Sequence, residues 1–452
     1  MLSKIKNTIG DLGPGLLYAG AAVGVSHLVM STKAGASYGY LLLLLIPLVH
    51  VIKYPFYRFG PEYTAITGKN ILYGYNALGK WAIWTYIIIT LVTMCLIQAA
   101  VTIVTSSIAI KFFNLSIPAE YMPHFPAIAF LLIAAAVLSI GKYSILDKLM
   151  KIIIILLTVT TIIAVTTVLI TNPGGVYGGE ASFDLGKYVN GKYVDALFLA
   201  AFLGWMPAPL DISVWHSVWS EEANKDTGEK APLKKALFDF NIGFYGTACL
   251  AMCFLALGAL VMFGGPEKPS PKGAVFAGQL IEMYTSALGS WAYPLIGIAA
   301  LTTMFSTTLT CLDAYPRTLG KCFLILKNED TTVESSNSKK YYQLVLWLAV
   351  SMTVVVFFMT KEIVGAMGVV VMVATVVSFV AAPIFAILNY LTMQGGTIPE
   401  GNKPKPFIKA WCLFGIILLF FSSIWYLYIG FVKGPPEAIE TTQVQEVNSA
   451  RN

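Results

Sequence analysis

Eleven apolar segments, each long enough to cross a lipid bilayer, follow one another along the 452-residue chain. A membrane-spanning helix needs about 20 predominantly apolar residues, and hydrocarbon offers no water to satisfy a non-helical backbone. Composition agrees, because 57% of the residues are hydrophobic and 12% are charged, where a soluble protein has about 25% charged residues. The sequence therefore predicts an all-α integral membrane protein. We place the spans at residues 14–34, 38–58, 82–112, 124–141, 149–171, 194–217, 237–264, 287–315, 341–360, 363–394 and 408–432.

The basic residues are distributed unevenly between the two sets of loops. With the amino terminus inside, 21 of the 30 lysine and arginine residues, Lys53 among them, fall on the inner side and eight fall on the outer side. Cytoplasmic loops carry such an excess of positive charge. The sequence therefore predicts a protein of the cell (inner) membrane, with a cytoplasmic amino terminus and an outer carboxyl terminus.

The first and sixth spans each contain a signal for a break in the helix. The first carries Gly24-Val25-Ser26-His27 near its middle, and the sixth carries Pro207 and Pro209. Proline removes a backbone donor and clashes with the preceding turn, and hydrocarbon solvates neither a hydroxyl nor an imidazole. Two interrupted helices in corresponding positions of the two halves indicate a transporter with its binding site near the middle of the membrane.

The domain organisation follows from these two breaks. They lie five spans apart, so the broken helices run in opposite directions, as an inverted repeat requires. We expect one transporter domain over residues 1–433 and a disordered polar tail over 434–452. Within the domain, we place one repeat at 14–171, the other at 194–394 and an extra helix at 408–432, with a glycine- and aromatic-rich outer loop at 172–193.

The candidate binding residues of the first span are Gly24, Ser26 and His27. In one interpretation residues 24–27 unwind, expose backbone carbonyls and turn Ser26 and His27 towards a substrate. In the other, the helix is continuous, its glycines allow close packing and His27 is hydrogen-bonded to a neighbour. The coincidence of the histidine with the break favours the functional interpretation.

The sixth span contributes Met206, Ala208 and Asp211. Met206 offers a soft thioether that suits a transition metal, or it fills a gap in the core. Asp211 follows the double-proline break and needs a partner, a cation or a proton. His216 is either an interfacial residue or a proton carrier.

A hydroxyl-rich stretch in the eighth span, residues 302–310, either lines a polar path or bonds back to its own helix. Thr307 lies within it as a candidate proton or gating residue. Gln98 and Asn241 are single polar residues of a kind that usually joins helices.

Several classes of protein are excluded by what the sequence lacks. It has no phosphate-binding loop, no HExxH motif and no nucleophile elbow, so we expect neither an enzyme nor a nucleotide-driven pump, and no cofactor. Its basic residues lie between apolar runs and predict no nucleic-acid partner. We expect a small solute or metal ion and the lipid bilayer as partners, with no obligate protein partner. The six cysteines have neither zinc-site nor disulfide spacing and are expected to pack as small residues.

Three motifs resemble the Nramp family of divalent-metal transporters. Gly13-Pro14-Gly15 and Gly39-Tyr40 keep the register of the family's first-span motif, Met206-Pro207 matches its sixth-span Met-Pro, and residues 306–310 are similar to its eighth-span hydroxyl stretch. The resemblance implies eleven helices, in a five-plus-five inverted repeat of the leucine-transporter type with one extra helix. It also implies uptake of a divalent metal, often with protons.

The sequence departs from that family at the metal site. Gly24 stands where the resemblance places a metal-binding aspartate, His27 where it places an asparagine, and Ala208 where it places the histidine after Met-Pro. A dication needs negative charge nearby, and Asp211 is the nearest source. The resemblance thus implies divalent metal transport through an altered site of His27, Met206 and Asp211. A carrier of a small uncharged or zwitterionic organic solute is the alternative, and a receptor or scaffold is a third possibility.

Overall fold

The computed structural model describes residues 13–118, 124–140, 143–172, 174–176, 196–266, 269–270, 273–333, 335–360 and 366–433. Within these ranges the chain is helical and contains no β-strand, so the predicted all-α fold class is confirmed. The predicted tail at 434–452 and most of the predicted outer loop at 172–193 lie outside the described residues.

The helices follow the order of the apolar segments. A π-helix at Val25–Ser31 joins the first two α-helices, and short 3₁₀ turns occur at Ser290–Ala292 and Glu400–Asn402. The α-helices are α1 Pro14–Ala22, α2 Thr32–Tyr38, α3 Leu45–Thr67, α4 Ile71–Leu78, α5 Lys80–Phe112, α6 His124–Ile140, α7 Tyr143–Thr171, α8 Ala196–Gly204, α9 Ile212–Thr227, α10 Leu233–Val261, α11 Gly273–Leu288, α12 Tyr293–Leu326, α13 Ser336–Thr360, α14 Ala366–Gln394 and α15 Pro406–Lys433.

Each predicted span overlaps a helix or a pair of helices at its place in the chain. Eight helical segments of the described residues, including the composite Pro14–Tyr38, are long and apolar enough to cross a membrane. The total of eleven spans stays a prediction. Helices α4 and α11 were not predicted, because α4 has only eight residues and α11 is interrupted by polar residues such as Gln279 and Glu282.

The second span was predicted too early in the chain. It was placed at 38–58, whereas α3 runs from Leu45 to Thr67 and contains Pro55 and Pro61. Beyond the predicted end, Arg58 and Glu62 form a salt bridge of 2.8 Å one turn apart on this helix.

The first span packs closely along α10 through small residues. A Cβ on Gly35 would collide with the carbonyl of Leu255, and a Cβ on Gly258 would collide with the carbonyl of Thr32. Glycine at such positions lets two membrane helices approach backbone to backbone. At the other end of the span, the Asp239 carboxylate of α10 accepts hydrogen bonds from the amide of Gly15 at 2.7 Å. Helix α10 therefore supports both halves of the interrupted first span.

Candidate functional site

The predicted break in the sixth span is present. Helix α8 ends at Gly204 and α9 begins at Ile212, with an irregular segment of residues 205–211 between them. Neighbouring helices hold this segment, because the Trp205 indole donates a hydrogen bond to the Ser378 hydroxyl at 2.8 Å and the Tyr57 hydroxyl donates one to the Ala208 carbonyl. The irregular backbone is buried in protein, as the bilayer interior requires.

Lys53 of α3 reaches the end of α8, where sequence analysis did not place it. Its ammonium donates to the carbonyl oxygens of Leu203 at 2.7 Å, Met206 at 2.9 Å and Gly204 at 3.4 Å. The last carbonyls of a helix have no partner within it. Lys53 is only 2% exposed, so its charge lies inside the protein and not on a loop surface.

The break in the first span is shorter than predicted. Helix α1 ends at Ala22, only Val23 and Gly24 leave helical geometry, and the π-helix starts at Val25. The amide of Gly24 donates to the carbonyl of Ala22 at 2.9 Å instead of continuing the α-helical ladder. Ser26 and His27 therefore lie on a helix with wider turns, and residues 24–27 do not unwind as a unit.

Thr307 of α12 lies directly against this break. Its hydroxyl is 3.1 Å from the carbonyl oxygen of Gly20 and 3.4 Å from that of Val23. A Cβ on Gly24 would come within 2.7 Å of the Thr307 methyl group. Gly24 thus allows the close approach. The single Thr307 O–H is shared between the carbonyls at the break and the Thr303 carbonyl of its own helix, which lies at 3.1 Å.

The Ser26 hydroxyl connects the backbone of α1 to the His27 ring. It donates to the Ala22 carbonyl at 2.8 Å and lies 2.7 Å from Nδ1 of His27. Because its proton is used in the first bond, this hydroxyl is able to accept from Nδ1–H. Nε2 is buried and has no hydrogen-bond partner in the described part of the chain.

Asp211 is buried at the start of α9 without a partner for its side chain. It is 1% exposed, and neither carboxylate oxygen has a hydrogen-bond partner among the described residues. Its main-chain carbonyl accepts from the amide of Val214 at 2.8 Å, and the side chain does not cap the helix. A buried carboxylate in this condition requires a proton or a cation.

Aromatic residues surround Asp211. Tyr75, Tyr86 and Tyr315 each interact with it electrostatically. The ring centroids of Tyr75 and Tyr86 are 6.0 Å apart, and those of Trp215 and Tyr315 are 5.0 Å apart. The hydroxyls of Tyr86 and Tyr315 and the indole nitrogen of Trp215 are buried without hydrogen-bond partners in the described structure. Two tyrosines with unsatisfied hydroxyls thus interact electrostatically with the unsatisfied carboxylate.

The remaining candidates of the sixth span are buried. Met206 and Ala208 have no solvent-exposed surface, and His216 is 1% exposed. The His216 ring lies 5.8 Å from the Tyr18 ring of α1, so it packs in the protein interior against the first span. Its Nδ1 has no partner in the described chain.

The polar residues of α5 and α12 act mainly within the helix bundle. Thr302 and Thr308 donate to carbonyls of their own helix, at 2.7 Å and 3.0 Å. Gln98 donates from α5 to the Thr308 carbonyl at 3.3 Å, and Asn241 accepts from the Tyr54 hydroxyl at 2.9 Å. Back-bonding, the second interpretation of the hydroxyl-rich stretch, therefore applies to most of it.

A charged network beyond the predicted end of the sixth span was missed by sequence analysis. Glu221 and Glu222 of α9 both bind Lys321 of α12, Glu222 at 2.6 Å, and Glu221 also accepts from the Asn70 amide group at 2.9 Å. Burial opposes ionisation of Glu222, but the charges of Lys321, Arg317 and Lys225 outweigh it and hold the pKa of this carboxyl well below its usual value. The sequence showed only a charged loop, because the partners lie far apart along the chain.

The two interrupted spans contact each other on both sides of their breaks. Helix α1 packs against α9, and the π-helix packs against α8. His27 interacts electrostatically with His50 of α3, and Asp211 with tyrosines and with Cys311 of α12. Among the residues that the structure describes, no group of three or more histidine, cysteine, aspartate or glutamate side chains is placed to hold a metal ion.

The fold and the paired breaks define the class: an integral membrane protein with the leucine-transporter-type fold of secondary transporters. The chain is 37% identical over 390 residues, 85% of each chain, to the uncharacterized protein PM0681 of Pasteurella multocida (strain Pm70). It belongs to the same family as that protein. No model of a protein family matches the sequence.

Solved structures share the fold at low sequence identity. A crystal structure of a variant of the Eremococcus coleocola manganese transporter matches with a TM-score of 0.72 and 14% identity, over 99% of this chain and 92% of that one. Its complex with an aromatic bis-isothiourea substituted compound gives a TM-score of 0.71. MhsT in complex with L-phenylalanine gives 0.59 at 15% identity, over 92% of this chain and 97% of that one. The expected Nramp-like fold is confirmed.

Proposed function

We propose that this protein is a secondary transporter of a small cationic or amine-bearing solute, bound between the two helix breaks. One observation carries the proposal: the Asp211 carboxylate is buried, 1% exposed, with no partner in the described chain. An uncompensated buried charge costs several kcal/mol, so the carboxylate must receive a proton or a positive group. A positively charged cargo would therefore bind favourably at the break, next to the Asp211 carboxylate.

A divalent metal is the cargo that the Nramp resemblance favours, and manganese is the metal named for the structurally similar transporter. In this proposal the chain is a divergent relative whose site is rebuilt from His27, Met206 and Asp211. Metal-binding histidines usually donate their second ring N–H to a fixed acceptor, and the Nδ1 bond of His27 to Ser26 provides this arrangement. Met206 would add a soft ligand.

An amine-bearing organic solute is the second candidate, and the rings near Asp211 favour it. Aromatic faces attract ammonium groups electrostatically, and Tyr75, Tyr86, Tyr315 and Trp215 are all buried there. A zwitterion could place its ammonium against Asp211 without the several ligands that a metal demands. In the described residues such a ligand group of histidine, cysteine and carboxylate side chains is not found.

The proposal also includes the internal repeats, the binding residues and the membrane location of the protein. We infer a repeat at 14–171, an inverted repeat at 194–394 and an extra helix at 408–432. The residues that would bind substrate are Gly24, Ser26, His27, Met206, Ala208 and Asp211, with His216 and Thr307 as proton or gating residues. A cell-membrane location with the amino terminus inside agrees with the distribution of basic residues.

Replacing Asp211 with asparagine tests the proposed function. We expect one class of ligand, either Mn²⁺, Fe²⁺, Co²⁺, Zn²⁺ or Mg²⁺ salts or a panel of amino acids and amines, to raise the melting temperature of the purified protein. Asp211→Asn should abolish this stabilisation, because it removes the charge while keeping the side-chain size. Asp226→Asn, an exposed position on the same helix, should leave it unchanged.

If metal salts stabilise the protein, the cargo is a metal; if amino acids or amines do, the cargo is organic. Uptake of the stabilising ligand into liposomes then excludes a receptor or scaffold. A ligand that stabilises wild type and Asp211→Asn equally would contradict the assignment of Asp211. The absence of any stabilising ligand and of any flux would contradict the proposed function itself.

A further inference from the structure

The ammonium of Lys53 occupies the carbonyl end of the broken helix α8. Three carbonyl oxygens, those of Leu203, Gly204 and Met206, lie between 2.7 Å and 3.4 Å from Nζ. A lysine ammonium has three N–H donors and no acceptor, so donors and acceptors match in number. A neutral amine would direct a lone pair at one of these oxygens. The arrangement therefore fits the charged form.

Without Lys53, the carbonyl end of α8 would be a position where a free cation is expected to bind. The carboxyl end of a helix carries the negative end of its dipole. In transporters with broken helices, unwound carbonyls and half-helix ends coordinate small monovalent cations. Lys53 reaches this position from another helix and lies there with 2% of its surface exposed.

The carbonyl oxygens at the end of α8 are the groups that stabilise the positive charge of Lys53. On its own helix, Lys53 interacts electrostatically with His50, whose Nδ1 is bound to the Ile46 carbonyl at 2.8 Å. One turn further along, Tyr57 donates to the Ala208 carbonyl in the same irregular segment. Neither neighbour supplies negative charge, so the ammonium depends on the end of α8.

We propose that the end of α8 is a monovalent-cation site that this chain fills permanently with the Lys53 ammonium. The wild-type protein consequently binds no free alkali cation at this position, and removal of the lysine side chain opens the site to Li⁺, Na⁺ or K⁺. This inference goes beyond the proposed function, because it holds whatever the cargo is.

The test measures the melting temperature of the purified full chain in chloride salts of Li⁺, Na⁺, K⁺ or N-methyl-D-glucamine at constant ionic strength. The wild type should melt at the same temperature in all four salts. Lys53→Ala leaves room for an ion at the three carbonyls and should melt lowest in N-methyl-D-glucamine. An alkali cation should raise its melting temperature saturably, by about 2 °C or more.

Lys33→Ala is the matched control, because the Lys33 ammonium lies over an aromatic ring, 4.7 Å from the centroid of Phe276. It should behave like the wild type. The proposal is overturned if folded Lys53→Ala responds to none of the three alkali cations, or if one of them stabilises the wild type saturably. If the alanine variant does not fold, Lys53→Gln replaces it, because glutamine keeps a shorter, neutral donor. An alkali cation should stabilise this variant in the same way. The assay needs no cargo, so its failure is distinct from failure of the proposed function.

Discussion

Asp211 and His27 are the residues on which the proposed function depends, and each is buried with an unsatisfied polar group. His27 has one ring nitrogen bound to Ser26 and the other without a partner in the described chain. Asp211 has no partner for either oxygen there. Buried polar groups are nearly always hydrogen-bonded, so the carboxylate and imidazole near the two helix breaks are the groups on which the proposed function places a ligand or a proton.

Thr307 gives a prediction at the same scale, because its hydroxyl satisfies carbonyls at the break of the first span. Thr307→Val keeps the shape but removes the donor, and an unsatisfied buried carbonyl costs about 1–3 kcal/mol. We expect a lower melting temperature for Thr307→Val and near wild-type stability for Thr307→Ser. Thr302→Val should have little effect, since both described hydrogen bonds of Thr302 go to its own helix, whereas Thr307 also reaches the first span. Equal losses for the two valine variants would show that Thr307 has no special role at the break.

At the scale of helices, the sequence predicted the order of the apolar elements and the location of both interruptions. Prolines 207 and 209 identify the sixth-span break directly, since each removes a donor. The extent of the first-span break depended on Thr307, which is distant in sequence. The role of Lys53 was hidden for a similar reason, because a lysine in an apolar run can also snorkel to the surface. Only tertiary contacts decide between these alternatives.

The network around Glu221, Glu222 and Lys321 gives a prediction about pH. The lowered pKa of Glu222 means that its contribution to stability is present above the ordinary value of 4.5 and is lost as pH falls below it. Lys321→Met removes a charge that lowers this pKa, so the loss of stability below pH 4.5 should be smaller and should end at a higher pH than in the wild type. Lys403→Met, which breaks an exposed i,i+3 pair with Glu400, is the control. Coincident stability-versus-pH curves for Lys321→Met and wild type would contradict this role of the network.

For the whole molecule, the contact between the interrupted first and sixth spans has the greatest functional consequence. Helix α10 supports the first span along both of its halves, while α3 contributes Lys53 and Tyr57 to the segment between α8 and α9. The charged network joins α9 to α12 at the predicted inner side. Under the proposed function, a protein with its binding site buried between the breaks must open alternately to each side of the membrane.

Access to Ala208 from the two sides of the membrane tests this central claim most directly. Ala208 is fully buried between the breaks, and the six native cysteines can be replaced to give a silent background. We expect Ala208→Cys to react with an impermeant methanethiosulfonate reagent both in right-side-out and in inside-out vesicles, because the site opens alternately. A cysteine that stays unreactive in both orientations, with the protein folded, would contradict a transport site at this position.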